Sequence, residues 1–165
     1  MAAKATIADV QNEGFQNAMF GAPPDFAASG GVIDTLLKRA SNWAAQKIGT
    51  ANYSSTNSGT YLFDCLVNAE IAYCSERLWR RRAAFIDGAA SISLDGRDRS
   101  AMLKEAYALS DAAADDRTFW IGEAGRVLGL DVQDDIAGTG ISTGIVETGM
   151  LPQTARSAVN FGGSQ

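Results

Sequence analysis

The sequence predicts a mainly α-helical fold: a small helical bundle with a central long helix, one short β-hairpin and extended N- and C-terminal arms. Three observations predict it. A helix-like run, Tyr61–Asp87, carries the basic stretch Trp79-Arg80-Arg81-Arg82 toward its end. A cleanly amphipathic stretch, Ser100–Asp116, follows a tight-turn signal at Asp95-Gly96. A further helical pattern, Val32–Ile48, lies between glycines that can start and stop it. The organisation expected is a leader over 1–31, a helical core over 32–130 and an extended arm over 131–165.

In the leader, Ile7–Phe20 holds a short possible helix, and Gly21-Ala22-Pro23-Pro24 breaks any helix there. Met19, Phe20 and Phe26 are too apolar for a free tail and are expected to dock on the core or on a partner. The first firm helix spans Val32–Ile48. Ile33, Leu36, Leu37, Ala40, Ala44 and Ile48 recur at helical spacing, Asp34 suits the positive end of the dipole, and Gly49 stops it. Thr50–Gly59 is rich in Ser, Thr and Asn and reads as a loop. Thr60 or Asn57 then caps the long helix.

Turning Tyr61–Asp87 at about 100° per residue separates four strips. Leu62, Leu66, Ala69 and Tyr73 form one apolar face, and Phe63, Val67 and Cys74 another. Asp64, Asn68, Ser75 and Arg82 share one polar strip; Glu70, Arg77 and Arg81 share a second. A helix apolar on two sides needs neighbours on two sides. Either it is central within one domain, or the face carrying Phe63 packs on another subunit.

Beyond Asp87-Gly88, Ala90–Leu94 alternates weakly, Asp95-Gly96 is a good hairpin turn, and Arg97–Arg99 is a short return strand. Ser100–Asp116 puts Met102, Leu103, Ala106, Leu109 and Ala113 on one face and Lys104, Asp111 and Asp115 on the other. Thr118–Leu130 fits a fourth helix. Gly122 and Gly125 there either permit a close backbone contact or leave the segment partly helical, each costing about 1 kcal/mol in a helix interior. Asp131–Gln165 lacks periodicity but scatters Ile141, Ile145, Val146, Met150, Leu151 and Phe161 among Gly and Thr. That composition suits either an arm that orders on a partner or a floppy tail.

Composition narrows the function. The net charge of −5 and pI of about 4.7 disfavour a broad nucleic-acid-binding surface. With no histidine, Ser–His and Cys–His catalysis are impossible, and with only two cysteines, nine residues apart, the usual zinc patterns are excluded as well. Cys65 and Cys74 lie about two and a half helical turns apart, too far to bridge on one helix, and read as buried free thiols. Asp115-Asp116 and Asp134-Asp135 read as solubilising pairs, and the acids near Asp131 lack calcium-loop spacing. No apolar leader with a cleavage site and no run of about 18 apolar residues is present, so a cytoplasmic product with no membrane span is expected. No enzyme activity, metal or cofactor is expected. The pronounced charge feature is Arg77, Arg80, Arg81 and Arg82 beside Trp79, in the last turns of the long helix. It serves as a helix cap, as a contact for an acidic partner surface, or as a phosphate contact. With Phe63 and the six apolar residues of the arm, Trp79 and these arginines are the candidate partner-binding residues.

A leader, a helix at Val32–Ile48, a long central helix, a small hairpin, a second amphipathic helix and an extended arm together resemble the small head-to-tail adaptor (connector) proteins of tailed bacteriophages. The resemblance is one of layout, length and composition over Val32–Leu130, with the arm in support; no functional residue is carried over by motif. It implies a virion structural protein of the neck, made in the host cytoplasm. Such a protein forms a homo-oligomeric ring, commonly twelvefold, that docks on the portal, extends the DNA channel and offers a platform for tail or nozzle proteins. An acidic channel wall would let DNA pass without specific binding. Other classes stay open: another helical neck or tail-completion protein, a small helical enzyme using carboxylates alone, or a helical regulator that sets the arginines on nucleic acid.

Overall fold

Thr6 begins the first helix, α1 (Ile7–Asn12), through a reciprocal capping box: its hydroxyl accepts from the Asp9 amide at 3.2 Å while Asp9 accepts from the Thr6 amide at 2.7 Å. Gly14, at φ +91°, turns the chain into a 3₁₀ turn, Asn17–Phe20. The expected helix over Ile7–Phe20 is thus two short pieces with a left-handed glycine between them. These details come from a computed structural model that describes residues 1–21, 25–88 and 98–132.

Helix α2 (Val32–Ile48) has the expected limits. Asp34 in its first turn accepts from the Gly30 amide at 2.6 Å and pairs with Lys38 at 2.9 Å. Gly49, at φ +89°, redirects the chain into α3 (Thr50–Ser55). This helix replaces part of the loop expected over Thr50–Gly59. Its six residues are held by a bond from the Asn52 amide group to the Ile48 carbonyl at 2.7 Å and by the buried ring of Tyr53.

Thr60 caps α4 (Tyr61–Gly88) by accepting from the Phe63 amide at 3.2 Å. Asp98 caps α5 (Arg99–Leu128) in the same way, accepting from Ser100 at 3.0 Å. Two sequence expectations are corrected here. Arg99, placed in a return strand, opens a helix. The separate helices over Ser100–Asp116 and Thr118–Leu130 are one helix, because Arg117 at the supposed break is buried and paired rather than solvated. Ala90–Leu94 and the Asp95-Gly96 turn lie outside the described residues, as do the Pro23-Pro24 breaker and the arm beyond Val132. The described residues are 76% helical and contain no strand, which makes the fold mainly α.

Helices α4 and α5 run antiparallel. Tyr61 bonds Glu123 at 3.1 Å near one end, and Arg99 pairs with Asp87 at 2.9 Å near the other. The two-sided helix finds both neighbours inside this chain. Leu66 and Ala69 bury against Ala44, Ile48, Tyr53 and Ile121. Cys74 and Leu78 bury against Val10, Phe15, Phe26, Ile33 and Leu37, with Val67 packed beside them. The apolar leader residues therefore dock on the core. Phe20 stacks on Phe26 at 4.9 Å between ring centroids, and Phe15 meets Trp79 at 5.2 Å. Aromatic pairs of this kind add about 0.5–1.5 kcal/mol each beyond area burial.

Gly125 answers the question raised by the two glycines of α5. A Cβ there would lie 2.5 Å from Val132 Cγ2, so the residue permits the chain after α5 to fold back closely. At Gly122 a Cβ would meet nothing within 4 Å.

Candidate functional site

Two buried carboxylates on α4 hold the architecture in place, and neither stood out in the sequence. Glu70, expected on a polar strip, is fully buried. Its Oε2 accepts from the Lys4 and Ala5 amides at 2.8 Å each, and its Oε1 accepts from the Tyr53 hydroxyl, which also reaches the Ala2 carbonyl at 3.2 Å. Burial pushes the Glu70 carboxyl above the ordinary carboxylate range, against the opposing pull of the Tyr53 hydroxyl and the Ala5 and Lys4 amides. A protonated Glu70 fits the same geometry: it donates from Oε1 to Tyr53, which donates onward to Ala2. Burial and Glu70 together raise the Tyr53 phenol as well. The carboxyl group is a latch for residues 1–5.

Glu76 pairs with Arg117 across the α4–α5 seam and with Arg80 one turn on, at 3.1 Å. Ser110 donates to the Glu76 carbonyl at 3.3 Å and accepts from Arg80 Nε at 3.2 Å. The Arg117 guanidinium lies 5.5 Å from the centre of the Trp43 ring. Cys65 and Cys74 are free and buried; burial pushes Cys74 up to about 12, with Glu70 adding to the shift, and this makes it a poor nucleophile.

The arginine cluster divides. Arg80 is committed to Glu76 and Ser110. Arg82 is half-buried, donates to the Met19 carbonyl, and sits 5.7 Å over the Phe85 ring; burial lowers its pKa. Arg77 and Arg81 are exposed, Arg77 lying 5.3 Å over the Tyr73 ring. Because α4 continues to Gly88, its last turn carries no basic residue, and the dipole effect fades within one turn. Helix capping therefore does not explain the cluster. Phe63 is half-buried, with Lys4 Nζ 5.7 Å from its ring centre, so the leader covers part of that face. Trp79 is half-buried against Phe15. Ile141, Ile145, Val146, Met150, Leu151 and Phe161 lie outside the described residues.

Trp79 also walls a groove of about 270 Å³ between α4 and α5. The buried small residues Ala72, Ser75 and Ala113 line it together with exposed Ala112; Trp79 and Trp120 stand toward opposite ends, and the exposed Glu13 and Asp116 bring carboxylates to its rim. Of the polar strip Asp64, Asn68, Ser75 and Arg82, Asn68 and Ser75 line this groove. A second hollow of about 150 Å³ continues past Trp79 to Arg82, Ile86 and Met102. The sequence hid the groove because Glu13 and Asp116 stand a hundred residues apart. Among the described residues, no group of three or more metal-ligating side chains converges, and no helix is long and apolar enough to cross a membrane.

In comparisons with known proteins, no family model matches the chain, no curated protein matches it in sequence and no solved structure matches it in fold.

Proposed function

We propose that this chain is a structural protein of a tailed-phage neck, a head-to-tail adaptor whose copies form a ring on the portal and present a platform to tail or nozzle proteins. The observation that carries the reading is the combination of a long antiparallel α4–α5 pair, locked by buried ionic contacts, with an exposed aromatic groove and exposed arginines. A buried ion pair is weak evidence of added stability, and in this reading Glu76 and Arg117 serve to fix the arrangement of α4 on α5. Rigid helices that leave aromatic and arginine side chains accessible suit contact with other proteins, where those residue types concentrate binding energy. The apolar residues of 131–165 would add contacts as an arm, and the acidic charge would keep DNA moving through the channel.

Co-expression with a tailed-phage portal protein tests the reading. The chain is expected to sediment with portal particles and to add a ring visible in averaged electron micrographs. A chain that stays at the top of the gradient in the presence of assembled portal would overturn it.

A further inference from the structure

We propose that the groove between α4 and α5 receives the Arg77–Arg81 face of a second copy of this chain, so that copies associate head to tail. The inference rests on the adaptor reading and names the contact that would build its ring.

Chemistry on both surfaces favours this occupant. Tryptophan faces flanked by carboxylates suit guanidinium groups, which stack on the ring while pairing with the acid. Glu13 and Asp116 are exposed at the rim, and neither is paired with a cation among the described residues. On the donor side, Arg80, though exposed, is paired with Glu76 and Arg82 donates to Met19, whereas Arg77 and Arg81 are exposed one helical turn apart and pair with no carboxylate among the described residues. Arg77 is already steadied over Tyr73, which lowers the ordering cost of presenting it.

Placement supports a chain of contacts rather than a closed pair. Turning α4 at about 100° per residue puts Arg77 and Arg81 on the side of the helix opposite Asn68, Ser75 and Trp79, which line the groove. A surface that binds the opposite surface of the next copy makes a heterologous contact, and rotation then closes a ring. An isologous dimer would need the groove and the arginines on one face.

The test uses two full-length variants. One carries Arg77→Glu with Arg81→Glu, the other Glu13→Lys with Asp116→Lys; all four positions are exposed, and circular dichroism confirms folding. Wild type is expected to associate in low salt and to weaken as salt rises. Each variant alone should associate on the order of tenfold or more weakly, because like charges meet at the contact. An equimolar mixture should regain the wild-type mass, because every junction again joins opposite charges. Folded variants that associate like wild type, or a mixture that stays monomeric while wild type assembles, overturn this contact and leave the adaptor reading standing. Loss of portal binding by the lysine variant with self-association intact also overturns it, and assigns the groove to a different protein. Wild type that is monomeric at every concentration overturns the contact, and if it also fails to bind the portal, the adaptor reading falls too.

Discussion

At the scale of single residues, Glu70 sets the clearest expectations. Its folded pKa lies above its ordinary value of 4.5, chiefly because it is buried. Between the unfolded and folded values the native state binds more protons, so stability falls as pH rises. The contribution is fully present below 4.5 and is lost as pH climbs through the raised value. The groups facing Glu70 are Lys4, Tyr53 and, more distantly, Cys74; burial raises both the Tyr53 phenol and the Cys74 thiol. Glu70→Gln mimics the neutral carboxyl: its oxygen accepts from the Lys4 and Ala5 amides while its NH₂ donates to Tyr53. This variant should gain stability relative to wild type as pH rises from acid to neutral, as measured by chemical unfolding at each pH. A constant difference between the two would contradict the raised Glu70 carboxyl. Glu70→Ala, which strands the buried Ala5 amide, the part-buried Lys4 amide and one bond of the buried Tyr53 hydroxyl, should cost about 2–4 kcal/mol. At the seam, Arg117→Met leaves Glu76 with Arg80 alone and should cost about 3–5 kcal/mol, whereas replacing Glu76 and Arg117 together by leucine should cost much less.

At the scale of elements, the long helices were readable where apolar spacing is continuous and glycine or an N-cap marks the boundary. That holds for α2 in full and for α4 to within a residue at its end. Where charge interrupts the pattern, reading fails. Asp115-Asp116-Arg117-Thr118 looks like a solvated break, yet the helix passes through it because Arg117 finds Glu76, a partner 41 residues away. Helix α3 was illegible for a different reason: its six residues are mostly Ser, Thr and Asn, and contact with α2 and the leader, not propensity, holds them. Glu70 was misplaced because helix rotation cannot reveal that the leader returns across it. The groove, built from α4, α5 and the loop at Glu13, was invisible for the same reason, although Trp79 was singled out. Gly125 offers an element-scale check. Gly125→Ala should cost about 1–3 kcal/mol through collision with Val132, and Val132→Ala, which removes the 2.5 Å contact but keeps the Val132 Cβ at 2.9 Å and the Leu130 carbonyl at 3.2 Å, should restore only part of the loss. Thermal unfolding of the single and double variants reads this directly; no rescue would mean that Val132 does not pack there. Phe15→Ala should cost about 3–5 kcal/mol, since the ring joins the leader to Trp79.

At the scale of the whole molecule, the described residues form a helical unit whose long central helix is satisfied on both apolar sides by its own chain. What remains available to partners is the aromatic groove, the Arg77–Arg81 face and a few exposed rings such as Phe119 and Tyr107. The adaptor proposed above would use this division: a core packed by its own chain and two different surfaces for neighbours. The most direct measurement is the native mass of the 165-residue chain, alone and with a tailed-phage portal protein, in low salt. The account predicts a closed homo-oligomer, commonly twelve copies of the 17.4 kDa chain, that dissociates to folded monomers as salt is raised. A mass of one chain under every condition, with the portal present and unbound, would contradict it.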